Sequence, residues 1–287
     1  MPAALLALLS AALFAGNSVA VRLALAGTTA TTIVVVSILT NLTTLWVVAA
    51  LRGEVSAALQ PAALIFVGAG VLAPALARIA LYTAIDMVGV ARAVVASNTT
   101  PIFTAVGAAL FLHERVSAGL ALGTVAVVLG VALTSSAPAQ EEARAGRIGL
   151  LLALSTAVLA AASIVFRKIG LGMIPHAALA GGLTLSGAVL GLVPLVVWRW
   201  RREPIRADRR AVPPMLVAAL LSSGGFLAYF LALNLGDASR VTPLSNTTPL
   251  FAVLLLRSAF RHVESVTRRT LAGAALTVAG MILVVSA

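Results

Sequence analysis

The five-residue sequence SNTTP occurs twice in this chain, as residues 97–101 and again as residues 245–249. The two copies lie 148 residues apart (249 − 101), which is about half of the 287-residue chain. Each copy places four polar residues and a proline inside a strongly apolar run. The repetition predicts that the chain is built from two related halves.

The apolar runs around these copies are long enough to cross a membrane. The chain is 61% hydrophobic and 10% charged, whereas a soluble domain carries roughly a quarter charged residues. A run of about 20 apolar residues spans a ~30 Å hydrocarbon core. Ten such runs are present: 3–25, 31–51, 62–85, 90–112, 116–135, 148–166, 176–198, 212–235, 238–260 and 270–287. These runs are continuous, not alternating, so the sequence predicts an all-α integral membrane protein with ten transmembrane helices.

The net charge of +11 follows from arginines in the loops. The largest cluster falls in one loop and consists of Arg199, Arg201, Arg202, Arg206, Arg209 and Arg210. No basic surface with interleaved aromatic residues is present, so no nucleic-acid partner is predicted. The loops after helices 1, 3, 5, 7 and 9 hold most of the arginines. By the positive-inside rule these loops are expected in the cytoplasm and both termini outside.

The match between the halves extends beyond SNTTP. Arg92 lies six residues before Asn98, and Arg240 lies six residues before Asn246. The last helix of each half carries two glycines seven residues apart, first Gly123 and Gly130, then Gly273 and Gly280. The expected organisation is a first five-helix repeat at 1–135, a linker at 136–146 and a second repeat at 147–287. The glycines permit close helix packing, either within one chain or between the chains of a homodimer.

An odd number of helices in each repeat forces the second repeat to cross the membrane in the opposite direction. Inverted repeats are typical of secondary transporters, whose substrate sites lie near the midplane where the repeats meet. The alternative is that duplication only built a symmetric bundle, as in a non-transporting membrane scaffold or enzyme subunit.

The segments SNTTPIF and LHERVSAGLALGTVAVVLGVAL, with their second-half counterparts SNTTPLF and VESVTRRTLAGAALTVAGMILV, resemble the EamA-like branch of the drug/metabolite transporter superfamily. In that family each half ends with a proline-containing helix, an acidic residue in a short loop and a glycine-spaced helix. The matching residues are Pro101 and Glu114, then Pro249 and Glu264. The resemblance implies a multi-pass transporter of the cell inner membrane. The nearest function it suggests is that of an amino-acid exporter of the YddG type. Some family members have cytoplasmic termini, so the orientation stays open.

The proline of each SNTTP sequence affects the hydrogen bonds of its helix. Proline cannot donate to the carbonyl four residues earlier, which frees the carbonyls of Ser97 and Ser245. A freed carbonyl in a membrane needs a partner from protein or from a water-filled cavity, and nearby hydroxyls can supply one. We predict hinges at Pro101 and Pro249. We also predict a substrate cavity lined by Ser97, Asn98, Ser245 and Asn246. The alternative is that these polar residues only bond neighbouring helices.

One arginine lies at the middle of an apolar run. Arg78 follows Pro74 in the third run, with Tyr82 one turn further on. The offset of 148 pairs these two residues with Phe226 and Phe230 in the other half. A guanidinium, a phenol and two phenyl rings would suit a zwitterion with an apolar side chain. Asn17 and Ser163 are further candidate lining residues. The alternatives are a structural bond for Arg78 and simple packing for the phenylalanines. Arg22 and Arg167 are expected at helix ends, reaching to the interface.

The nine carboxylates all lie in loops or at helix ends in this reading, so no buried carboxylate is available to exchange a proton for a cation. No metal site, cofactor site or catalytic constellation is predicted. The sequence therefore predicts a transporter that exports small neutral or zwitterionic metabolites, amino acids above all, by alternating access. A carrier for sugars or anionic metabolites, with Arg78 as the anion clamp, is the alternative.

Overall fold

The computed structural model of the chain describes residues 1–135, 147–200, 208–259 and 268–287. The described residues form almost entirely α-helix, which confirms the predicted all-α membrane architecture. The helices are α1 (Pro2–Ala24), α2 (Ala30–Leu51), α3 (Ala63–Gly70), α4 (Ala77–Val88), α5 (Val90–Ser97), α6 (Thr100–Phe111), α7 (Ala118–Ser135), α8 (Arg147–Met173), α9 (Ala177–Trp200), α10 (Val212–Leu235), α11 (Ala238–Ser245), α12 (Thr248–Ala259) and α13 (Arg268–Ser286).

These helices make ten spans, because three spans consist of two helices each. Helices α3 and α4 form span 3, α5 and α6 form span 4, and α11 and α12 form span 9. Within the described residues, six stretches are long and apolar enough to cross a membrane, and three shorter apolar helices accompany them. Span 9, formed by α11 and α12, is in neither group. By their helix bounds, the ten spans correspond one to one with the ten apolar runs of the sequence.

The packing of the two halves is symmetric. Helix α1 packs against α10, and its counterpart α8 packs against α3 and α4. Helices α11 and α12 pack against α1 in the same way that α5 and α6 pack against α8. Helices α2 and α9 pack against each other, as do α7 and α13. Each half therefore completes its packing against the other half, as inverted repeats require.

The spans end at two faces of the molecule. We call the face that carries both termini the terminal face; there the Cβ position of Gly236 would meet Ala3, and that of Gly119 would meet Ala287. We call the opposite face the linker face; there the amide of Asp208 donates to the carbonyl of Gly27 at 2.9 Å. Helix α1 begins at the terminal face and its counterpart α8 ends there, so the two halves run in opposite directions.

The paired glycines lie where α7 and α13 meet. A Cβ atom at Gly123 would come within 2.9 Å of the carbonyl oxygen of Gly280, and one at Gly130 within 2.7 Å of that of Gly273. Such close approach of two backbones is possible only without side chains, and it gives dense van der Waals contact in a membrane. The glycines of these two helices therefore act within one chain.

Span 3 is broken at its middle, whereas the sequence indicated one continuous apolar run. Between α3 and α4 lies a π-helical turn, Val71–Leu76, in which Ala73 is extended with φ −150° and ψ 130°. Pro74 explains the break, because its ring removes a donor and pushes the preceding residue out of helical geometry. The carbonyls of the preceding turn must then find partners outside their own helix.

Candidate functional site

The SNTTP segments separate the two helices of spans 4 and 9. Helix α5 ends at Ser97 and α6 begins at Thr100, so Pro101 lies in the first turn of a helix, where its missing N–H costs little. The freed carbonyl of Ser97 accepts a bond from the Thr100 hydroxyl at 2.7 Å. The carbonyl of Ser245 accepts one from Thr248 at 3.1 Å. The prediction that neighbouring hydroxyls satisfy these carbonyls is confirmed in both halves.

The two SNTTP segments contact each other inside the molecule. The side-chain amide of Asn246 donates to the backbone carbonyl of Asn98 at 3.3 Å, which joins span 9 to span 4. The amide nitrogen of Asn98 and the hydroxyl of Ser245 are buried and have no hydrogen-bond partner. Ser97 instead donates to the carbonyl of Val94 within its own helix. Two of these four polar groups thus keep bonding capacity for a ligand.

Spans 4 and 9 diverge on one side of this meeting point. Helices α6 and α11 pack against each other toward the terminal face. Helices α5 and α12, which run toward the linker face, make at most marginal contact. The two spans are therefore closed against each other on the terminal side and separated on the linker side.

Arg78 and Tyr82 lie on α4, directly after the break in span 3. Arg78 is half-buried, and no hydrogen bond or ion pair joins its guanidinium to another described residue. Tyr82 lies one helical turn further and is 37% exposed. A guanidinium in the membrane interior is expensive unless it is paired. Its lack of a partner marks Arg78 as a group that can take a ligand.

The two phenylalanines of the other half differ in accessibility. Phe226 is half-buried, and its ring meets that of Phe14 edge to face at 5.2 Å between centroids. Phe230 is fully buried and contacts the Tyr229 ring. In this conformation Phe226 has accessible surface that a ligand could contact, and Phe230 has none.

Asn17 and Ser163 also differ. Asn17 is half-buried on α1. Ser163 is fully buried on α8, and its hydroxyl lies 2.7 Å from the carbonyl oxygen of Ala69 and 3.1 Å from that of Ala73. Ser163 therefore satisfies the carbonyls that the break in span 3 leaves free.

Arg167 is the residue that sequence reasoning placed wrongly. It does not reach the interface but is 7% exposed, and its guanidinium donates to the carbonyl of Ala73. It also lies over the Phe230 ring, 5.6 Å from the centroid. The physical reason is that α8 continues to Met173, seven residues past the predicted end at 166. The proline in the middle of span 3 was the available signal, because the freed carbonyls call for a donor on a neighbouring helix.

Other polar groups surround Arg167. The Tyr229 hydroxyl lies near the guanidinium and near Thr242 of α11. Among the described residues, the Tyr229 hydroxyl, the Thr242 hydroxyl and the Nε of Arg167 have no hydrogen-bond partner. The next residue, Lys168, donates from Nζ to the carbonyls of Leu233 at 2.9 Å and Gly236 at 2.8 Å. A cation is favourable at these carbonyls because they close the C-terminus of α10. This cluster links spans 3, 6, 8 and 9 on the terminal side of the midplane.

The described carboxylates lie away from the middle of the spans. They are Glu54, Asp86, Glu114, Asp208 and Asp237. Glu54 is buried, but it lies at the terminal face beside Arg52 at 3.4 Å and His176 at 3.8 Å. The remaining acids, Glu141, Glu142, Glu203 and Glu264, lie outside the described residues. No described carboxylate therefore offers a proton-exchange site at the midplane.

Two cavities bordered by described residues lie elsewhere. One is an apolar groove of about 300 Å³ between α6 and α7, lined by residues such as Val106, Leu110 and Val125. The other, of about 250 Å³, lies at the terminal face between Met1, Asp237 and Arg240. Neither contains any of the predicted site residues.

Comparison with known proteins agrees with this architecture. The model of the EamA-like transporter family matches the chain twice, over residues 1–136 and 147–286. The chain belongs to the EamA-like transporter family. It is 29% identical over 201 residues to an uncharacterized transporter from Archaeoglobus fulgidus, covering 69% of this chain and 67% of that relative. A crystal structure with 19% identity superposes with a TM-score of 0.79 over 98% of this chain and 94% of its own, which supports the fold alone. This EamA-like protein is therefore a multi-pass membrane transporter.

Proposed function

We propose that this EamA-like transporter exports small neutral or zwitterionic metabolites, amino acids above all, across the cell inner membrane. The single observation that supports this substrate class is the guanidinium of Arg78, which pairs with no other described residue. It lies beside the break of span 3, on a helix that packs against the other repeat. Broken helices at a repeat interface are where secondary transporters bind their substrates.

In this proposal Arg78 binds the substrate carboxylate. The planar guanidinium can donate two parallel bonds to a carboxylate, which a lysine ammonium cannot do. Tyr82, Asn17, Asn98 and Ser245 would contact the rest of the polar backbone of the substrate, and Phe226 its side chain. Phe230, Ser97, Asn246 and Ser163 would act through packing and internal hydrogen bonds.

Alternating access would follow from the junctions at SNTTP. Pro101 and Pro249 would act as hinges, because each lacks the amide that would bond to the carbonyl four residues earlier, and a threonine hydroxyl bonds to that carbonyl in its place. Because the described carboxylates avoid the midplane, transport would not need a proton relay through the site.

A carrier for anionic metabolites is the second candidate, because the unpaired guanidinium of Arg78 also suits an anion. The two are separated by exchange measurements in proteoliposomes with free amino acids, amino-acid amides and organic anions. We expect exchange of free amino acids and little of their amides, since an amide offers no carboxylate to Arg78. We expect Arg78→Lys to weaken amino-acid exchange by about tenfold, since a bond to a charged group contributes ~1.5 kcal/mol or more.

The matched control is Arg22→Lys, because Arg22 is exposed near the end of α1. It should exchange amino acids as the wild type does. Equal exchange of free acids and amides, together with an unaffected Arg78→Lys variant, would show that Arg78 is structural and would remove the reason for choosing amino acids.

A further inference from the structure

Glu114 joins the two repeats at the terminal face. It lies in the loop between α6 and α7 of the first half. Its Oε1 accepts a bond from the amide of Ala238 at 2.8 Å, and its Oε2 accepts bonds from the amide and the hydroxyl of Ser239 at 2.9 and 2.6 Å. The acceptors therefore come from one half and all three donors from the N-terminus of α11 in the other. A carboxylate is favourable there because a helix N-terminus carries partial positive charge.

The loop is shaped to present this carboxylate. His113 has φ of +55°, a left-handed conformation that is uncommon for a residue with a side chain. The amide of Glu114 donates back to the carbonyl of Ala108 at 3.2 Å, which ties the residue to the end of α6. Unusual backbone geometry of this kind persists where surrounding contacts fix it, and it often accompanies a mechanical role.

The contact between Glu114 and the N-terminus of α11 lies on the closed side of the molecule. Helices α6 and α11 pack together between it and the Asn98–Asn246 contact, whereas α5 and α12 diverge on the other side. For the carrier to open toward the terminal face, α11 must move away from α6. That movement requires the three bonds to Glu114 to break.

We propose that Glu114 is the latch of a gate at the terminal face, which holds α11 against α6 while the carrier is open toward the linker face. This inference rests on the alternating-access part of the proposed function and not on the substrate. Bonds to an ionised carboxylate are stronger than those between neutral groups, so the latch stabilises the closed gate. When the gate opens, water can bond to the freed amides of Ala238 and Ser239, so these amides are not left without partners in lipid.

A single cysteine can report the state of this gate, because the chain contains no cysteine of its own. Thr242 is 5% exposed and lies on α11 between Ser239 and Asn246. Because the spacings are three and four residues, Ser239, Thr242 and Asn246 lie along one side of the helix. Ser239 and Asn246 both contact the first repeat. The Thr242→Cys reporter should react slowly with a membrane-impermeant maleimide added at the terminal face, since the closed gate covers it.

Variants that weaken the latch are then made in the chain that carries Thr242→Cys. Glu114→Gln keeps the size of the side chain but removes its charge. We expect it to raise the labelling rate of the reporter about tenfold, the effect of losing one to two charge-assisted bonds. Ser239→Ala removes one of the three donors and should raise the rate less. Asp237→Asn is the matched control, because Asp237 lies at the same helix end but pairs only locally, with Arg240 at 3.7 Å; it should leave the rate unchanged.

A second reporter separates gating from general loosening of the fold. Thr277 is fully buried on α13, and its hydroxyl bonds within its own helix. Under the latch account, the Thr277→Cys reporter labels slowly with or without Glu114→Gln. An unchanged rate at position 242 in Glu114→Gln would overturn the proposal, and so would an equal rise at both positions. Because labelling needs no substrate, it tests the latch even if amino acids prove not to be transported.

Discussion

Spans 3 and 8 occupy equivalent places in the two halves, yet only span 3 is broken. Span 3 has Pro74 at its middle, whereas span 8 has Ser222 at the equivalent position (74 + 148) and continues as one 24-residue helix. Ser222 accepts a bond from the side-chain amide of Asn41 at 2.9 Å. After these positions come Arg78 in span 3 and Phe226 in span 8. Spans 4 and 9, by contrast, keep SNTTP and its threonine bonds in both halves.

The repeated and the unrepeated features suit different functions. The features that repeat, the junctions of spans 4 and 9, suit a movement that must serve both halves. The features that do not repeat, the broken span 3 and its arginine, suit recognition of a substrate whose two ends differ. If so, mutation should affect these two kinds of feature separately.

The largest expected effect is a loss of stability when the bond from Arg167 to the broken part of span 3 is removed. Arg167→Met would remove the charged donor to the Ala73 carbonyl and leave that carbonyl only the longer bond from Ser163; a hydrogen bond to a charged group contributes on the order of 1.5–3 kcal/mol. We expect the melting temperature in detergent to fall by roughly 5 °C or more. Arg22→Met, at the sequence counterpart in the first half, should change it little, because Arg22 is exposed. Equal losses in both variants would mean that the arginines of the two halves have equivalent roles.

The next effect concerns the repeated junctions. Pro101→Ala and Pro249→Ala would restore an amide that can bond to the carbonyl of Ser97 or Ser245. One regained bond of ~1 kcal/mol favours a continuous helix, so we expect exchange rates in proteoliposomes to fall roughly five- to tenfold in both variants. Pro243→Val is the control, because it introduces the residue that the first half has at the equivalent position, Val95. If only one of the two variants were impaired, the junctions would not act symmetrically.

The smallest effect concerns substrate size. Phe226→Ala should weaken exchange of aromatic amino acids about threefold to tenfold more than that of alanine, because contact between rings contributes ~0.5–1.5 kcal/mol. Phe230→Ala should instead lower thermal stability and keep the ratio between substrates, because Phe230 is fully buried. Competition between the two amino acids in one exchange assay measures this ratio. If Phe230→Ala, and not Phe226→Ala, lowered the ratio of aromatic amino-acid exchange to alanine exchange, Phe230 would be the residue that contacts the substrate side chain.

Much of the fold follows from local sequence features. Apolar run length predicts the ten spans, and the spacing of Gly123, Gly130, Gly273 and Gly280 predicts a close helix pair, which is found between α7 and α13. The roles of Ser163 and Arg167 could not be predicted in the same way. Which donor reaches the Ala73 carbonyl depends on the packing of α8 against span 3 and on a helix end seven residues beyond its expected place.

The candidate site shows the same limit. Sequence spacing places Phe226 and Phe230 one turn apart on one helix, but only packing against Arg167 and Tyr229 decides that Phe230 is covered. The sequence marks Glu114 only as a family feature, because a bond between residues 114 and 239 leaves no periodic signal. The residues predicted to bind substrate remain predictions, and the structure supplies their accessibility and their unused bonding groups.

Counterflow of labelled amino acids in proteoliposomes with the proton gradient collapsed tests both the proposed substrate class and the proposed independence from protons. We predict saturable counterflow of free neutral amino acids under these conditions, because none of the described carboxylates lies at the midplane to couple transport to protons. Counterflow that vanished with the proton gradient, or that was absent for every neutral solute while organic anions moved, would contradict the proposed substrate class and mechanism.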